Sequence, residues 1–498
     1  MNSPIKSIIT IAVAVIVAVY CTVDILSTRG SGLARLYIYI TVLAGFISII
    51  RPQLSLYAII PLSCFIDLFK RFMVIYGSPS SSELASLMST PMIMILGATF
   101  SVFLAAVTGV KRIDKLGWLS FFLAVLLLSA SVAGAVASGG GIRGLGHAFN
   151  QGIYAFLIFL IPLILDTDEK RLKYLRYCIP FFTIVALYML KHSFFGLAQF
   201  EYDYLMTGLT QEVRILVDDG GARRYFSTMN SAATVSTMLS VVATLVLTLP
   251  GKGNRPKSNG RKFFCVLLAL LFYTAAAMTL ARTGIICGLA SLVAYLLYGS
   301  KMKTLACYAA GAMIFLMAIF SSGYIVKYRL LDEWQDSLQD EALTSESSAN
   351  TSRALVLTTM YDRLSGWDKL TEPWRFPLLG TAFGGKLDVS DLGKYKFSHD
   401  LIVGTLAKLG WIPFLIGIGL LIYALFKIHT FQFSLNSNSL AFKLVRVCMA
   451  AAGGILIGGA ANGAQLVNFP QNFYFFLWLS IIVATYMNYK RAPKAITV

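Results

Sequence analysis

Charge is what this sequence has least of. Asp, Glu, Lys and Arg make up 13% of its 498 residues, while 57% are hydrophobic. Soluble domains carry about 25% charged residues. A soluble fold this poor in charge could not cover its surface, which excludes an ordinary cytosolic enzyme and a disordered chain. Cysteine is sparse too. Cys21, Cys64, Cys178, Cys265, Cys287, Cys307 and Cys448 lie in or at the edge of apolar runs, with no CxxC pair. That excludes a secreted disulfide scaffold and a cysteine metal site, and leaves small buried hydrophobes. There is no HExxH, no histidine pair at helical spacing, no GxSxG elbow and no GxxxxGK[ST] string, so no metal or cofactor is expected. Internal repeats, low-complexity linkers and a separate soluble domain are also missing. Acidic residues are the scarcer sign: 24 against 42 Lys+Arg, a formal charge of +18. In so apolar a chain this surplus reads first as a topological bias beside a lipid bilayer, with no nucleic-acid partner.

What the chain has is apolar runs. A hydrocarbon core about 30 Å thick needs about 20 apolar residues per helix. Fourteen runs are candidates: 5–27, 33–50, 53–69, 91–110, 116–137, 151–166, 174–191, 230–250, 263–281, 284–299, 304–323, 400–426, 444–461 and 469–487. The expected fold is an all-α polytopic membrane protein with about 14 transmembrane helices (12 to 14). The first run is read as an uncleaved span, because Tyr20 before Cys21 suits cleavage poorly and the run continues to Leu26. Alternate loops hold twenty-two basic residues in short segments, among them Lys111, Arg112, Lys115, Lys170, Arg171, Lys301, Lys303, Lys490 and Arg491. These loops are expected in the cytoplasm, with both termini. The opposite side carries two long loops, about 192–229 and 324–398. The Gly453–Gly454 and Gly458–Gly459 pairs suit close helix packing.

Candidate chemistry gathers on the outward side. Arg282 sits in Ala281-Arg282-Thr283-Gly284, between two runs with almost no loop to hold it in water. An arginine so placed is a functional candidate, with snorkelling to headgroups as the alternative. Arg223 and Arg224 precede Asn230 at the entrance to a span, and Arg363 lies shortly before Trp367. Taken singly, each loop arginine reads as a solvated charge. Together, three outward segments each bring a guanidinium fork that matches phosphate oxygens. His399 stands where the long loop meets a span, followed by Asp400. It suits a general base, or a simple interfacial cap. His147 and His192 are weaker candidates, and His429 is assigned to the cytoplasmic side. Asp24 and Asp67 read as interfacial.

Four stretches in order resemble the O-antigen ligase and O-antigen polymerase (Wzy-type) superfamily of bacterial inner-membrane glycosyltransferases. They are Arg223-Arg224-Tyr225-Phe226-Ser227-Thr228-Met229-Asn230; Ala281-Arg282-Thr283-Gly284-Ile285-Ile286; Arg363 with Trp367 and then Pro377-Leu378-Leu379-Gly380-Thr381-Ala382-Phe383; and His399-Asp400 through Val403 to Gly410. The chain departs from the family pattern at Asp400 (usually Asn), Ala281 (Ser), Ala382 (Gly), Lys408 (often acidic) and Pro413 (commonly Gly). The resemblance divides the chain into N-terminal transmembrane helices (1–199), a ligase/polymerase-like core (200–426, with a periplasmic loop at 324–398) and C-terminal helices (427–498).

The resemblance implies a metal-independent glycosyltransferase of GT-C-like fold in the bacterial inner membrane, with its site facing the periplasm. The donor would be a glycan on undecaprenyl pyrophosphate. Arg282 and Arg363, with Arg223 and Arg224, would bind the pyrophosphate; Asn230, Asp400 and Trp367 would contact substrate; His399 would orient or deprotonate the acceptor hydroxyl. Polymerisation of repeat units for O-antigen, capsule or exopolysaccharide is favoured, because fourteen spans exceed the dozen of the ligase branch. Ligation to lipid A–core, or to a protein hydroxyl, is the alternative. A flippase for the same lipid-linked sugars is a remoter one, since it should show repeat symmetry and midplane charges. Polymerases of this kind commonly work with a chain-length regulator.

Overall fold

A computed structural model describes residues 32–137, 141–207, 209, 225–251, 258–279, 281–298, 378, 406, 410–461 and 468–491. Among these every regular element is a helix. In chain order they are α1 (Gly32–Ile50), α2 (Pro52–Gly77), α3 (Ser81–Val107), α4 (Lys115–Ala137), α5 (Gly141–Gly152), α6 (Leu157–Ile164), α7 (Asp168–Phe195), α8 (Gln199–Met206), α9 (Ala232–Thr248), α10 (Asn259–Met278), α11 (Arg282–Leu297), α12 (Trp411–Ser434), α13 (Leu440–Ala461) and α14 (Gln471–Arg491). Twelve of the fourteen apolar runs have a helix over them; runs 5–27 and 304–323 lie outside the described residues.

Boundaries follow local chemistry. The helix at run 91–110 starts ten residues early, at Ser81. There the Ser80 hydroxyl accepts from Glu83 N–H, and the Glu83 carboxylate accepts from Ser80 N–H, a reciprocal cap that opens a helix in a polar stretch. The 151–166 run is split. Amphipathic α5 leads through a 3₁₀ turn, Ile153–Phe156, into α6. The run at 400–426 has its described helix later, from Trp411, after Gly410 with φ +80°, a conformation glycine adopts without strain.

Five helical stretches are long and apolar enough to cross a membrane: Glu83–Val107, Lys115–Ala133, Gly144–Ile164, Asp168–Phe195 and Asn259–Met278. Their outer faces agree with that reading. Leu119, Phe122 and Leu126 stand exposed along α4, as do Phe263, Leu267 and Leu270 along α10. Apolar side chains at helical spacing on the outside are what lipid accepts and water does not.

Two groups of helices meet at α14 and α7. One group packs α1, α2 and α3 together. The other packs α9 against α10, α11 and α13. Helix α14 touches α13 and α6, and α7 touches α2 and α10. Helix α9 is buried almost all round, yet its core face carries Thr234, Ser236, Thr237, Ser240 and Thr244. Small hydroxyls let backbones approach closely. A Cβ built on Gly284 of α11 would lie 2.0 Å from Ser236 Oγ and 2.3 Å from the Ser236 carbonyl carbon; one on Gly288 would lie 2.7 Å from Ser240 Cβ. Gly454 of α13 meets Ser291 and Cys287 of α11 just as tightly. The Gly453–Gly454 pair thus works through its second member, since Gly453 has open space beside it.

Candidate functional site

The most deeply buried ionic cluster among the described residues lies where α2 and α7 end and α9 begins. Arg71, near the end of α2, is 2% exposed. Its Nη1 donates to Glu201 Oε1 at 3.1 Å and to the Ser227 carbonyl at 2.6 Å, and its Nη2 donates to the Met229 carbonyl. The guanidinium also sits 4.3 Å from the centre of the Phe226 ring. Glu201, fully buried on α8, accepts from His192 Nε2 at 2.8 Å and from Ala198 N–H at 3.1 Å. A carboxylate accepts only, so Nε2 carries the proton in this bond.

Burial by itself would raise the Glu201 pKa. The hydrogen bond and charge of His192, the Arg71 charge and the Ala198 amide outweigh it and hold the carboxyl below its ordinary value. Glu201 is therefore an anion holding two helix ends together. Arg71 has opposite charge on one side and carbonyl dipoles on the other, the arrangement a buried guanidinium requires.

The beneficiary is the segment Tyr225 to Asn230. Two of its carbonyls are held by Arg71. The Ser227 hydroxyl donates to the Val185 carbonyl at 2.8 Å, and the Thr228 hydroxyl to the Cys64 carbonyl at 2.7 Å. Ser227 takes φ +50°, an uncommon conformation for a residue with a side chain; these bonds hold it there. Ser231 then caps α9 by accepting from Thr234 N–H. The segment that leads from Arg223 and Arg224 into the bundle is thus fixed at its inner end.

A cavity of about 90 Å³ opens beside it, lined by Asp67, Lys70, Arg71, Tyr204, Leu205, Phe226 and Asn230. Asp67 is 5% exposed and makes no hydrogen bond among the described residues; the charges it feels are those of Lys70 and Arg71. The side-chain amide oxygen of Asn230 also has no partner among them. Lys70 Nζ lies 5.9 Å from the Tyr204 ring centre. The cavity thus presents two acceptors and one ammonium at its wall.

Of the residues singled out from the sequence, Asn230 lines this cavity. Arg282, whose described part is its backbone, is the first residue of α11. Its turn is pinned to α9: Ser236 Oγ donates to the carbonyls of Ala281 (3.1 Å) and Ala276 (3.2 Å). Ser236 is one turn into α9, so the Arg282 turn and Asn230 lie at the same end of that helix. Elsewhere, Ile412 N–H donates to the Leu378 carbonyl at 3.1 Å, joining the Pro-Leu-Leu-Gly stretch to the start of α12. Arg223, Arg224, Arg363, Trp367, His399 and Asp400 lie outside the described residues. His147 is exposed on α5. Among the described residues no group of three His, Cys, Asp or Glu is arranged to hold a metal ion.

The Arg71–Glu201–His192 cluster does not emerge from the sequence. There Asp67 reads as interfacial and His192 as a weak candidate. The available signal is Asp67-x-x-Lys70-Arg71 on one helix that is otherwise apolar, since ionisable groups there need partners. Glu201 gives no signal, because its neighbours have an ordinary loop composition. The chain matches no protein-family model, no curated protein and no solved structure.

Proposed function

We propose that the protein polymerises undecaprenyl-pyrophosphate-linked oligosaccharide repeat units at the periplasmic face of the inner membrane, in the synthesis of a surface polysaccharide. The observation that supports this reading is the meeting of two motif segments at one end of α9: the buried ion cluster fixes 225–230, and Ser236 pins the turn that carries Arg282. Rigid supports under two arginine-bearing segments suit a pyrophosphate clamp, because positioning accounts for much of catalysis by fixed charges.

In this reading Arg282 and Arg363, with Arg223 and Arg224, bind the pyrophosphate of the donor. The bond between the anomeric carbon and the pyrophosphate oxygen breaks, and its electron pair leaves with undecaprenyl pyrophosphate. The acceptor hydroxyl attacks the same carbon from the opposite face, with inversion. His399 takes the hydroxyl proton, and the product glycan stays on the other lipid carrier. Asp400 and Trp367 are assigned to substrate contact in the same reading.

The test uses purified protein in nanodiscs with a lipid-linked repeat unit as sole substrate, and His399→Ala and Arg282→Ala beside the wild type. A ladder of products from wild type, absent from both variants, is the expected result. Transfer only after lipid A–core is added would make the protein a ligase. A ladder that survives both substitutions would overturn the assigned chemistry.

A further inference from the structure

We propose that the cavity between Asp67, Lys70 and Asn230 is a saccharide subsite, holding the hydroxyl edge of one sugar residue of the lipid-linked glycan. The inference rests on the glycan-transfer reading above and goes beyond it, since none of the four motifs includes Asp67 or Lys70. A buried polar group without a partner costs free energy, and the Asn230 amide oxygen is one such acceptor among the described residues; it faces the same small space as the Asp67 carboxyl group. They call for a ligand rich in O–H donors. Lys70 adds a donor for a hydroxyl lone pair, and the Tyr204 and Phe226 rings supply an apolar wall for C–H faces.

The same wall disfavours the pyrophosphate. Both terminal nitrogens of Arg71 are committed to Glu201, Ser227 and Met229, and Asp67 repels an anion. Size narrows the ligand further. A cavity of about 90 Å³ is small beside the about 300–1,000 Å³ of a whole-ligand pocket, which suits part of one ring and not a whole repeat unit. The subsite is separate from the arginine clamp, so it would govern which sugar is accepted more than how fast the bond breaks.

The test measures binding of two probes to the full chain in nanodiscs: undecaprenyl pyrophosphate without sugar, and the lipid-linked oligosaccharide purified from the cells that make this protein. The ratio of the two affinities isolates what the glycan adds. Asp67→Asn is nearly isosteric and keeps a polar group at the site, so the fold survives it; Lys70→Met serves as the second variant. A hydrogen bond to a charged group sets the scale: Asp67→Asn should cut the glycan increment by about tenfold and leave the bare carrier's affinity unchanged. An unchanged ratio in both variants, or equal loss for both probes, would overturn the subsite while leaving the glycan reading intact. Failure of either probe to bind wild type would sink that reading and the subsite with it. A sodium-dependent stability change that vanishes in Asp67→Asn, without any glycan effect, would make the cavity a cation site instead.

Discussion

Of the three arginine–carboxylate pairs among the described residues, two make an instructive contrast at opposite ends of this bundle, and the better-shaped of the two is the less consequential. Arg491, at the end of α14, grips Asp114 with two parallel bonds: Nη2 to Oδ1 at 2.7 Å and Nε to Oδ2 at 2.9 Å. Arg71 reaches Glu201 through a single nitrogen at 3.1 Å. By geometry alone the first pair should be stronger. Yet Arg491 and Asp114 are 38% and 37% exposed, while Arg71 and Glu201 are 2% and 0% exposed. Two unit charges 4 Å apart interact by about 1 kcal/mol in water and about 4 kcal/mol near a protein surface of lower effective dielectric. Burial also removes the alternative partner, since water cannot replace what is lost. The environment of a pair, rather than its length, decides how far the structure depends on it.

The largest expected effect comes from leaving one buried charge without its partner. Arg71→Met strands the Glu201 carboxylate and frees the Ser227 and Met229 carbonyls. Removing one member of a buried pair costs about 3–5 kcal/mol. We expect that loss in the unfolding free energy of the reconstituted protein, with 225–230 becoming open to proteolysis. The double variant Arg71→Met with Glu201→Leu should recover part of it, because no charge is then left buried alone. A single-variant loss under about 1 kcal/mol, the range of exposed pairs, would erase the contrast between the two ends.

Packing at the same end of α9 comes next. Gly284→Ala places a methyl 2.3 Å from a backbone carbon of Ser236, and backbone cannot step aside as a flexible side chain can. Overpacking of this kind costs about 1–3 kcal/mol. The turn carrying Arg282 would shift with α11, so the proposed polymerase activity should fall more than stability does. Gly453→Ala, with nothing within 4 Å of its added carbon, is the control and should leave the thermal midpoint unchanged. Equal effects of the two substitutions would mean that the close approach of α9 and α11 is not what fixes the turn.

Acid should weaken both ends. Both Glu201 and Asp114 have lowered pKa values in the fold: Glu201 through His192, Arg71 and the Ala198 amide against the effect of burial, and Asp114 chiefly through its bond from Arg491. A carboxyl whose folded pKa is lowered stabilises the fold above its unfolded pKa, about 4. That contribution is lost as pH falls through the lower, folded value. Stability is therefore expected to decline below about pH 4. Glu201→Gln and Asp114→Asn should each flatten that limb. Protonating Glu201 leaves a neutral group that still bonds, so the acid loss should be smaller than that of Arg71→Met. Identical acid limbs in wild type and Glu201→Gln would show that folding does not shift the Glu201 pKa.

The same contrast explains what can be read from sequence. The all-helical class and the positions of twelve helices are legible, because long apolar runs admit little else in a bilayer. Ser81 to Thr90 does not read as helix, since the Ser80–Glu83 cap works through hydrogen bonds that hydropathy does not register. The tight Arg282 turn and the role of Gly454 are visible as local strings. The cluster around Arg71 is not, for its partners Glu201 and Ser227 stand 130 and 156 residues away, and a pairing across that distance leaves no local pattern. Asn230 stands out for its place in a motif, while the cavity it lines needs Asp67 and Lys70 from another helix.

The smallest expected effect tests the exposed end. Asp114→Asn removes the fork to Arg491 but leaves both partners in reach of water. The amide oxygen it introduces can still accept the bond from Gly117 N–H that the Asp114 carboxylate now accepts. Exposed pairs contribute about 0.2–1 kcal/mol and are screened by salt; the forked geometry and partial burial of both groups argue for the upper half of that range. The loss should shrink between low salt and about 1 M salt, where the screening length falls to about 3 Å. The Arg71→Met loss should hardly move over the same range, because ions do not enter the site where Arg71 and Glu201 meet. That difference in salt dependence is the sharpest form of the comparison, since it does not rely on the absolute size of either effect. If both losses vary alike with salt, the Arg71 end is wetter than its burial indicates, and the rigid support it gives to 225–230 would have to come from the Ser227 and Thr228 hydroxyl bonds instead.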